Sequence, residues 1–408
     1  MTFPPADPVD PAPVDPVVHQ RERLARVALG ELGEPGDPRL VSLVAELGAA
    51  TVRDLLAAER DPGRGVLADV AARLETTNPA RDLERAERLG IRFVIPGDDE
   101  WPAQVDQLMT TETLHDRGGP PLGLWVRGPM RLDELDASVA VVGSRSATTY
   151  GTTVAGEIGA RVAREGYTVV SGAAFGIDQA AHRGALAAGG RTVAVLACGV
   201  DRAYPARHRA LLDHLAATMA VVSELAPGRA PTRIRFLSRN RIIAALTRGT
   251  VVVEAAVRSG ALNTAGWAAR LHRPLMGVPG PVNTAQSEGV HQLVRKGAAT
   301  LVTRGEEVLE LVGASGHHLD EPRRGRTHAR DSLSGRHQQV LEAVPLGSPA
   351  HSDSIARTAG IGLLDTRSIL RRLERAGFVE HGTGGWRIRD ADAPDSAAKT
   401  SEVPTMNT

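Results

Sequence analysis

The residues most able to do chemistry lie in the middle of the chain, and most are arginines set beside glycines. The densest group is Arg233-Ile234-Arg235-Phe236-Leu237-Ser238-Arg239-Asn240-Arg241-Ile242-Ile243, with four arginines within nine residues. A guanidinium is a planar fork of donors that suits a phosphodiester oxygen. Arg239 and Arg241 lie about 200° apart if the segment is helical, so one ligand need not meet both. Asn240 has a side chain able to cap a helix expected over Ile242–Leu246. A second group is Gly143-Ser144-Arg145, followed by Tyr150-Gly151. Glycine lets a backbone approach a ligand there, and the next helix offers free N–H groups to a phosphate. Arg145 is either part of such a site or a plain surface charge.

A third group is the small-residue turn Ser171-Gly172-Ala173-Ala174-Phe175-Gly176-Ile177-Asp178, with His182 one helical turn later. Asp178 and His182 are i and i+4, share a helix face, and are expected to form a structural pair that fixes the turn. Glu254 ends an apolar run, where it could serve as an acid/base group or hold an arginine. Ser259-Gly260 and Pro279-Gly280 follow at later turns, and a helical stretch from Gly289 carries Arg295 and Lys296. Asp178, His182, Glu254, Ser259, Gly260 and Gly280 are thus expected to order a pocket.

Several chemistries are disfavoured. The first glycine turn is not G-x-G-x-x-G, and no G-x-x-x-x-G-K-[ST] occurs, so neither a dinucleotide nor ATP hydrolysis is indicated. Cys198 is the only cysteine, which removes internal disulfides and multi-cysteine metal sites and fits a buried thiol at a strand end. No nucleophile accompanies Asp178 and His182, and no metal-ligand spacing surrounds them. No enzyme activity, cofactor or metal is therefore expected. Aromatic residues make up 3% of the chain, which argues against a stacking platform as the main grip on nucleic acid.

The elements that must position these residues alternate strand and helix. Strands are expected at Arg92–Ile95, Val139–Val142, Thr168–Ser171, Val193–Ala197, Ala220–Ser223, Thr250–Glu254 and Leu275–Val278. Helices are expected at Ala80–Leu89, Thr153–Arg164, Ile177–Ala188, Ala206–Ala216, Ile242–Leu246 and Leu262–Ala269. That rhythm predicts an α/β fold: an extended Rossmann-like, doubly wound, mainly parallel sheet with ligands outside the carboxyl ends of its strands. The expected organisation is a disordered tail (1–18), a small helical domain of helix-hairpin-helix character (19–79), the Rossmann-like domain (80–312), a linker (313–334), a winged helix (335–390) and a disordered tail (391–408). The N-terminal segment lacks a basic start and an apolar core, so it does not read as a signal peptide, and no apolar run is long enough to span a membrane. A cytoplasmic protein is expected.

Net charge is zero overall but uneven. Residues 1–137 carry 15 Arg/Lys against 25 Asp/Glu, residues 138–312 carry 20 against 11, and residues 313–408 carry 13 against 12. A basic centre beside an acidic N-terminal part points to a polyanionic partner. Loop amides of the N-terminal helical domain could reach a DNA backbone, although its surroundings are acidic. In the expected winged helix, Arg367, Arg371 and Arg375 share a face and could meet DNA, a protein or solvent.

Taken in order, Gly143-Ser144-Arg145 with Tyr150-Gly151, the Ser171–Asp178 run with His182, Tyr204-Pro205, Phe236 with Arg239-Asn240-Arg241-Ile242-Ile243, Glu254-Ala255 with Ser259-Gly260 and Thr264-Ala265, and Pro279-Gly280 with Gly289 and Gly297-Ala298 resemble the DprA/Smf family of DNA-processing proteins. The resemblance is close from about Ala80 to Thr303 and looser on either side. It implies a Rossmann-like domain that binds single-stranded DNA in a basic pocket, forms a homodimer and delivers the strand to a RecA-type recombinase, in natural transformation or other recombination. Position by position, it implies DNA contacts at Ser144, Arg145, Gly172, Gly176, Arg239, Asn240, Arg241 and, more weakly, Lys296. Leu237 stands where the family usually has proline, and Ala173-Ala174-Phe175 departs from the commoner leucine-containing form. Two other readings compete. A nucleotide phosphoribohydrolase would need a Pro-Gly-Gly-x-Gly-Thr loop, which Pro279-Gly280-Pro281-Val282 does not supply. A winged-helix transcription regulator would bind one duplex sequence and no single strand.

Overall fold

The computed structural model describes residues 15–58, 74, 77–319 and 329–389, which divide into one unit ending at Asp320 and a second beginning at Glu321. The first unit begins with α1 (Pro16–Leu32), α2 (Pro38–Leu47) and α3 (Ala49–Ala57). Asp15 and Asp37 cap the first two, each with proline just inside the helix, where its missing N–H costs nothing. Leu29, Leu32, Leu43, Val44, Val52 and Leu56 form their shared core. The expected N-terminal tail is therefore shorter than 1–18, since α1 already runs from Pro16; its remainder and the C-terminal tail 391–408 lie outside the described residues.

After α4 (Pro79–Arg88), the chain builds a sheet from β1 (Ile91–Val94), β2 (Leu124–Arg127), β3 (Ser138–Val142), β4 (Thr168–Ser171), β5 (Thr192–Leu196), β6 (Ala220–Ser223), β7 (Gly249–Val252), β8 (Leu275–Gly277) and β9 (Thr300–Leu301). The spatial order is β1-β2-β6-β5-β4-β3-β7-β8-β9. Strands from β6 to β9 run parallel, while β2 pairs antiparallel with both β1 and β6. β2 and β9 were not expected from the sequence. β2 is a four-residue strand entered from Pro120-Pro121 and Gly123, and β9 has two exposed residues, so neither carries a long apolar run.

Both faces of the central strands are buried, as a parallel sheet with helices on each side requires. Within β3 the alternation is plain: Val139 and Val141 join one core, and Ala140 and Val142 join the other. The first core is closed by α5 (Thr149–Arg164), α6 (Ile177–Ala187) and α11 (Gly305–Val312). The second is closed by α8 (Arg233–Leu246), α9 (Ala261–Arg270) and α10 (Ala285–Arg295), while α7 (Arg209–Thr218) covers the sheet toward β1. Successive strands β3 to β6 wind one way from β3 and β7 to β9 wind the other, so the carboxyl ends of β3 and β7 form the topological switch point.

Helix α8 is longer than the sequence indicated. It starts at Arg233, capped by the Thr232 hydroxyl on the Arg235 N–H, so Asn240 is an interior residue and not a cap. The second unit holds α12 (Gly335–Glu342), α13 (Ser352–Ala359), α14 (Leu363–Arg375) and the ribbon β10 (Val379–Gly382) and β11 (Gly385–Ile388), around Val340, Ile355, Leu370, Leu373 and Trp386. Among the described residues no helix is long and apolar enough to cross a membrane.

Candidate nucleic-acid interface

An open cleft of about 1130 Å3 lies at the switch point. Its walls come from the turn after β3 (Gly143 to Ser146), the turn after β4 (Ala174, Asp178), one face of α8, and Ala256 to Thr264 leading into α9. On α8 the lining residues are Arg233, Phe236, Leu237, Arg239, Asn240 and Ile243, close to the i, i+3, i+4, i+7 spacing of one helix face. Four arginines border the cleft, Arg145, Arg233, Arg239 and Arg258, against one carboxylate, Asp178. Arg145, Arg233 and Arg258 are exposed, and none is in an ion pair among the described residues. Such a cleft carries a positive potential focused by its low-dielectric walls.

Phe236 links the two arginines expected to matter. The Arg145 guanidinium carbon stands 4.6 Å from the ring centroid and that of Arg239 5.7 Å, both within cation–π reach. The Tyr204 ring lies 5.7 Å from Phe236 and also lines the cleft. These aromatic faces, together with Arg233 and Arg258, were not among the expected site residues. The helical spacing of Arg233, Phe236 and Asn240 was the signal that would have found the α8 members.

Arg239 is 8% exposed and held rigidly. Its Nη1 donates to the Gly172 carbonyl at 2.9 Å and to the Val195 carbonyl, and its Nε donates to Asn240 Oδ1 at 3.2 Å. Burial lowers its pKa to about 10, with Asp178 opposing and Arg145 adding to the shift, so it stays charged at neutral pH. Asn240 continues the frame by donating to the Gly260 carbonyl and to Asn263 Oδ1, each at 3.2 Å.

The β4 turn is built around Asp178. Its carboxylate accepts from the N–H groups of Gly172 at 3.2 Å and Ala174 at 3.3 Å. Burial raises its pKa, and the nearby Arg239 charge works against that. Between those two residues Ala173 adopts φ +53°, a left-handed conformation costing alanine roughly 1–2 kcal/mol. Its carbonyl is held by His208 Nδ1 at 2.9 Å. Gly176 has φ +77°, and a Cβ there would stand 2.3 Å from the Ser144 carbonyl oxygen, so only glycine fits.

Three expectations need correction. Asp178 and His182 do not pair. His182 Nδ1 meets Thr192 Oγ1 at 2.7 Å, and that hydroxyl donates its proton to the Val169 carbonyl, so the ring is the donor. Its Nε2 is buried without a partner among the described residues, and burial lowers its pKa to about 3, with His208 and Arg239 adding to the shift. Arg241 does not reach the cleft. Two positions along the helix from Arg239, it faces the opposite side, fully buried, with both terminal nitrogens 2.7 Å from Glu224. Its Nε donates to the Gly119 carbonyl at 2.9 Å. Lys296 caps α10 in an exposed position outside the cleft lining.

The remaining expected residues order the walls. The Ser144 N–H donates to the Glu254 backbone carbonyl at 2.7 Å, and its Oγ lies 3.3 Å from Ser146 Oγ. Among the described residues the Glu254 carboxylate binds no arginine; it accepts from the Thr148 N–H at 2.9 Å and from the Thr148 hydroxyl, buckling the β3 turn to the end of β7. Ser259 Oγ accepts from the Ala261 N–H at 3.3 Å at the start of α9. Gly280 is not among the residues lining the cleft, and a Cβ there would come 2.2 Å from Ser287 Oγ. The neighbouring Pro279 carbonyl accepts from the Tyr150 hydroxyl at 2.6 Å. Cys198 is buried beyond β5, where burial raises its pKa to about 11 and leaves it an unreactive thiol. Among the described residues no cluster of three or more His, Cys, Asp or Glu is placed to hold a metal ion.

The fold and site define a Rossmann-like protein with a cationic cleft at the switch point of its sheet. Residues 92–313 match the model of the family described as DNA recombination-mediator protein A. The DprA of Mycobacterium tuberculosis is 47% identical over 343 residues, covering 83% of this chain and 87% of that relative. Protein Smf of Escherichia coli is 35% identical over 307 residues, covering 73% and 78%. The X-ray structure of Streptococcus pneumoniae DprA superposes with a TM-score of 0.59 at 30% identity, covering 72% of this chain and 98% of that one. The chain belongs to the DNA recombination-mediator protein A family, the DprA/Smf proteins.

Proposed function

We propose that this chain binds single-stranded DNA in the switch-point cleft and passes it to a RecA-type recombinase, working as a cytoplasmic homodimer. The observation that carries this reading is the cleft itself: four arginines against one carboxylate, with two aromatic rings between them. Arg145 and Arg233 supply phosphate contacts, and Arg239 is a fixed positive charge at the base of the cleft. Phe236 and Tyr204 offer faces on which unpaired bases can stack, which a duplex would deny them. Ser144, Gly172, Gly176 and Asn240 shape the wall along which the strand lies, while Asp178, Glu254, Ser259, Gly260 and Gly280 hold that shape. Membership in a family of recombination mediators favours delivery over storage of the strand.

The test of delivery is recombinase assembly on single strands already coated by a single-strand-binding protein. The full chain is expected to shorten the lag before filament growth, and Arg145→Ala is expected to restore it. A lag unchanged by the wild-type chain would leave a DNA-binding protein without mediator activity.

A further inference from the structure

The second unit carries a cationic helix face that the cleft does not use. On α14, Thr366, Ile369, Leu370 and Leu373 are buried and point to the unit's core. The opposite arc holds Leu364, Arg367, Ser368, Arg371 and Arg375, all exposed, and at about 100° per residue they fall within roughly 100° of one another. Arg372 stands on one flank, also exposed. None of these four arginines is in an ion pair among the described residues, and the helix's two acids, Asp365 and Glu374, lie outside the arc. Leu364, at the helix's first turn, is 81% exposed and belongs to the same arc.

We infer that this face is a duplex-DNA site, with α14 entering the major groove and the β10–β11 ribbon lying against the backbone as a wing. The order of elements fits: α13 ends at Gly360 in the left-handed conformation, α14 starts after the Gly362 cap, and the ribbon turns at Thr383-Gly384. Arg367 to Arg375 spans about 12 Å along the helix axis. The major groove is about 12 Å wide, so arginines at the two ends reach phosphates on both of its walls. Leu364 and Ser368, near the helix N-terminus, face base edges, with Leu364 suited to a thymine methyl. Solvent alone would account for scattered charges, but here three arginines gather on one arc and the helix's acids lie outside it. The inference stands on the second unit only and does not depend on what the cleft binds.

The test uses the full chain and a blunt duplex with a closed hairpin end, so that few unpaired bases are offered, alongside a single-stranded oligonucleotide. Arg371→Ala/Arg375→Ala is expected to weaken duplex binding roughly tenfold or more and to flatten its log–log salt slope by about 1.8, the value for two lost phosphate contacts. Single-strand binding is expected to stay unchanged, which also shows that the variant is folded. Arg371→Lys/Arg375→Lys is expected to recover most duplex affinity, because lysine still neutralises a phosphate. Unchanged duplex affinity in the alanine variant would overturn the inference. So would loss of duplex binding on Arg145→Ala alone, which would place the duplex in the cleft.

Discussion

Arg239 and Gly172 fit each other at a distance that no other residue at 172 would permit. Arg239 Nη1 donates to the Gly172 carbonyl at 2.9 Å, and a Cβ on residue 172 would stand 2.2 Å from that same nitrogen. The guanidinium is held by the Val195 carbonyl and Asn240 beside the buried Asp178, so moving it toward the cleft breaks those hydrogen bonds. Gly172→Ala is expected to displace it, lowering stability by roughly 2–4 kcal/mol, the range of a disrupted buried polar network. Urea denaturation checks the value, and a midpoint equal to wild type would show that the seat is looser than it looks.

Arg145 and Arg241 make a contrasting pair. Arg145 is exposed and rests on the face of Phe236, so Arg145→Ala should change stability by no more than about 0.5 kcal/mol. Arg241 is fully buried against Glu224, and removing it leaves a nearly buried carboxylate unpaired. Arg241→Ala should therefore cost about 3–5 kcal/mol, while the salt slope of any DNA binding measured on folded protein stays as in wild type. A flattened slope in that variant would return Arg241 to the cleft.

His182 makes the fold sensitive to acid. Its folded pKa of about 3 lies below the ordinary histidine value, so between them the unfolded chain holds the extra proton. Stability is therefore expected to fall as pH drops below about 6.5, and to go on falling toward pH 3. His182→Gln cannot take up that proton and can still donate to Thr192. Melting temperatures from pH 4.5 to 7.5 should decline less steeply for the variant, and parallel profiles would assign the acid sensitivity elsewhere.

The sheet was legible in the sequence because its central strands are short, valine-rich apolar runs such as Val139–Val142 and Val193–Ala197, each followed by a glycine or small-residue turn. Strand ends differ from expectation by a residue or two, as at β3 and β7. The turns identified the cleft because a switch point collects strand ends that approach a ligand closely. Helix α8 was not legible as one element. Its arginines serve two sides, Arg233 and Arg239 toward the cleft and Arg235 and Arg241 toward Glu34 and Glu224, so no polar stripe separates from an apolar one. The pairing of Asp178 with His182 failed for a related reason. Sharing a helix face sets proximity, but the backbone amides of Gly172 and Ala174 compete for the carboxylate, and Thr192 takes the imidazole.

Single-strand binding in the cleft is tested most directly by titrating the full chain and Arg145→Ala onto a labelled single-stranded oligonucleotide at several salt concentrations. Wild type is expected to bind with steep salt dependence, and the variant is expected to bind more weakly with a log–log slope flatter by about 0.7, the value of one lost single-strand phosphate contact. Equal affinity and equal slope for the two proteins would contradict the assignment of the strand to this cleft.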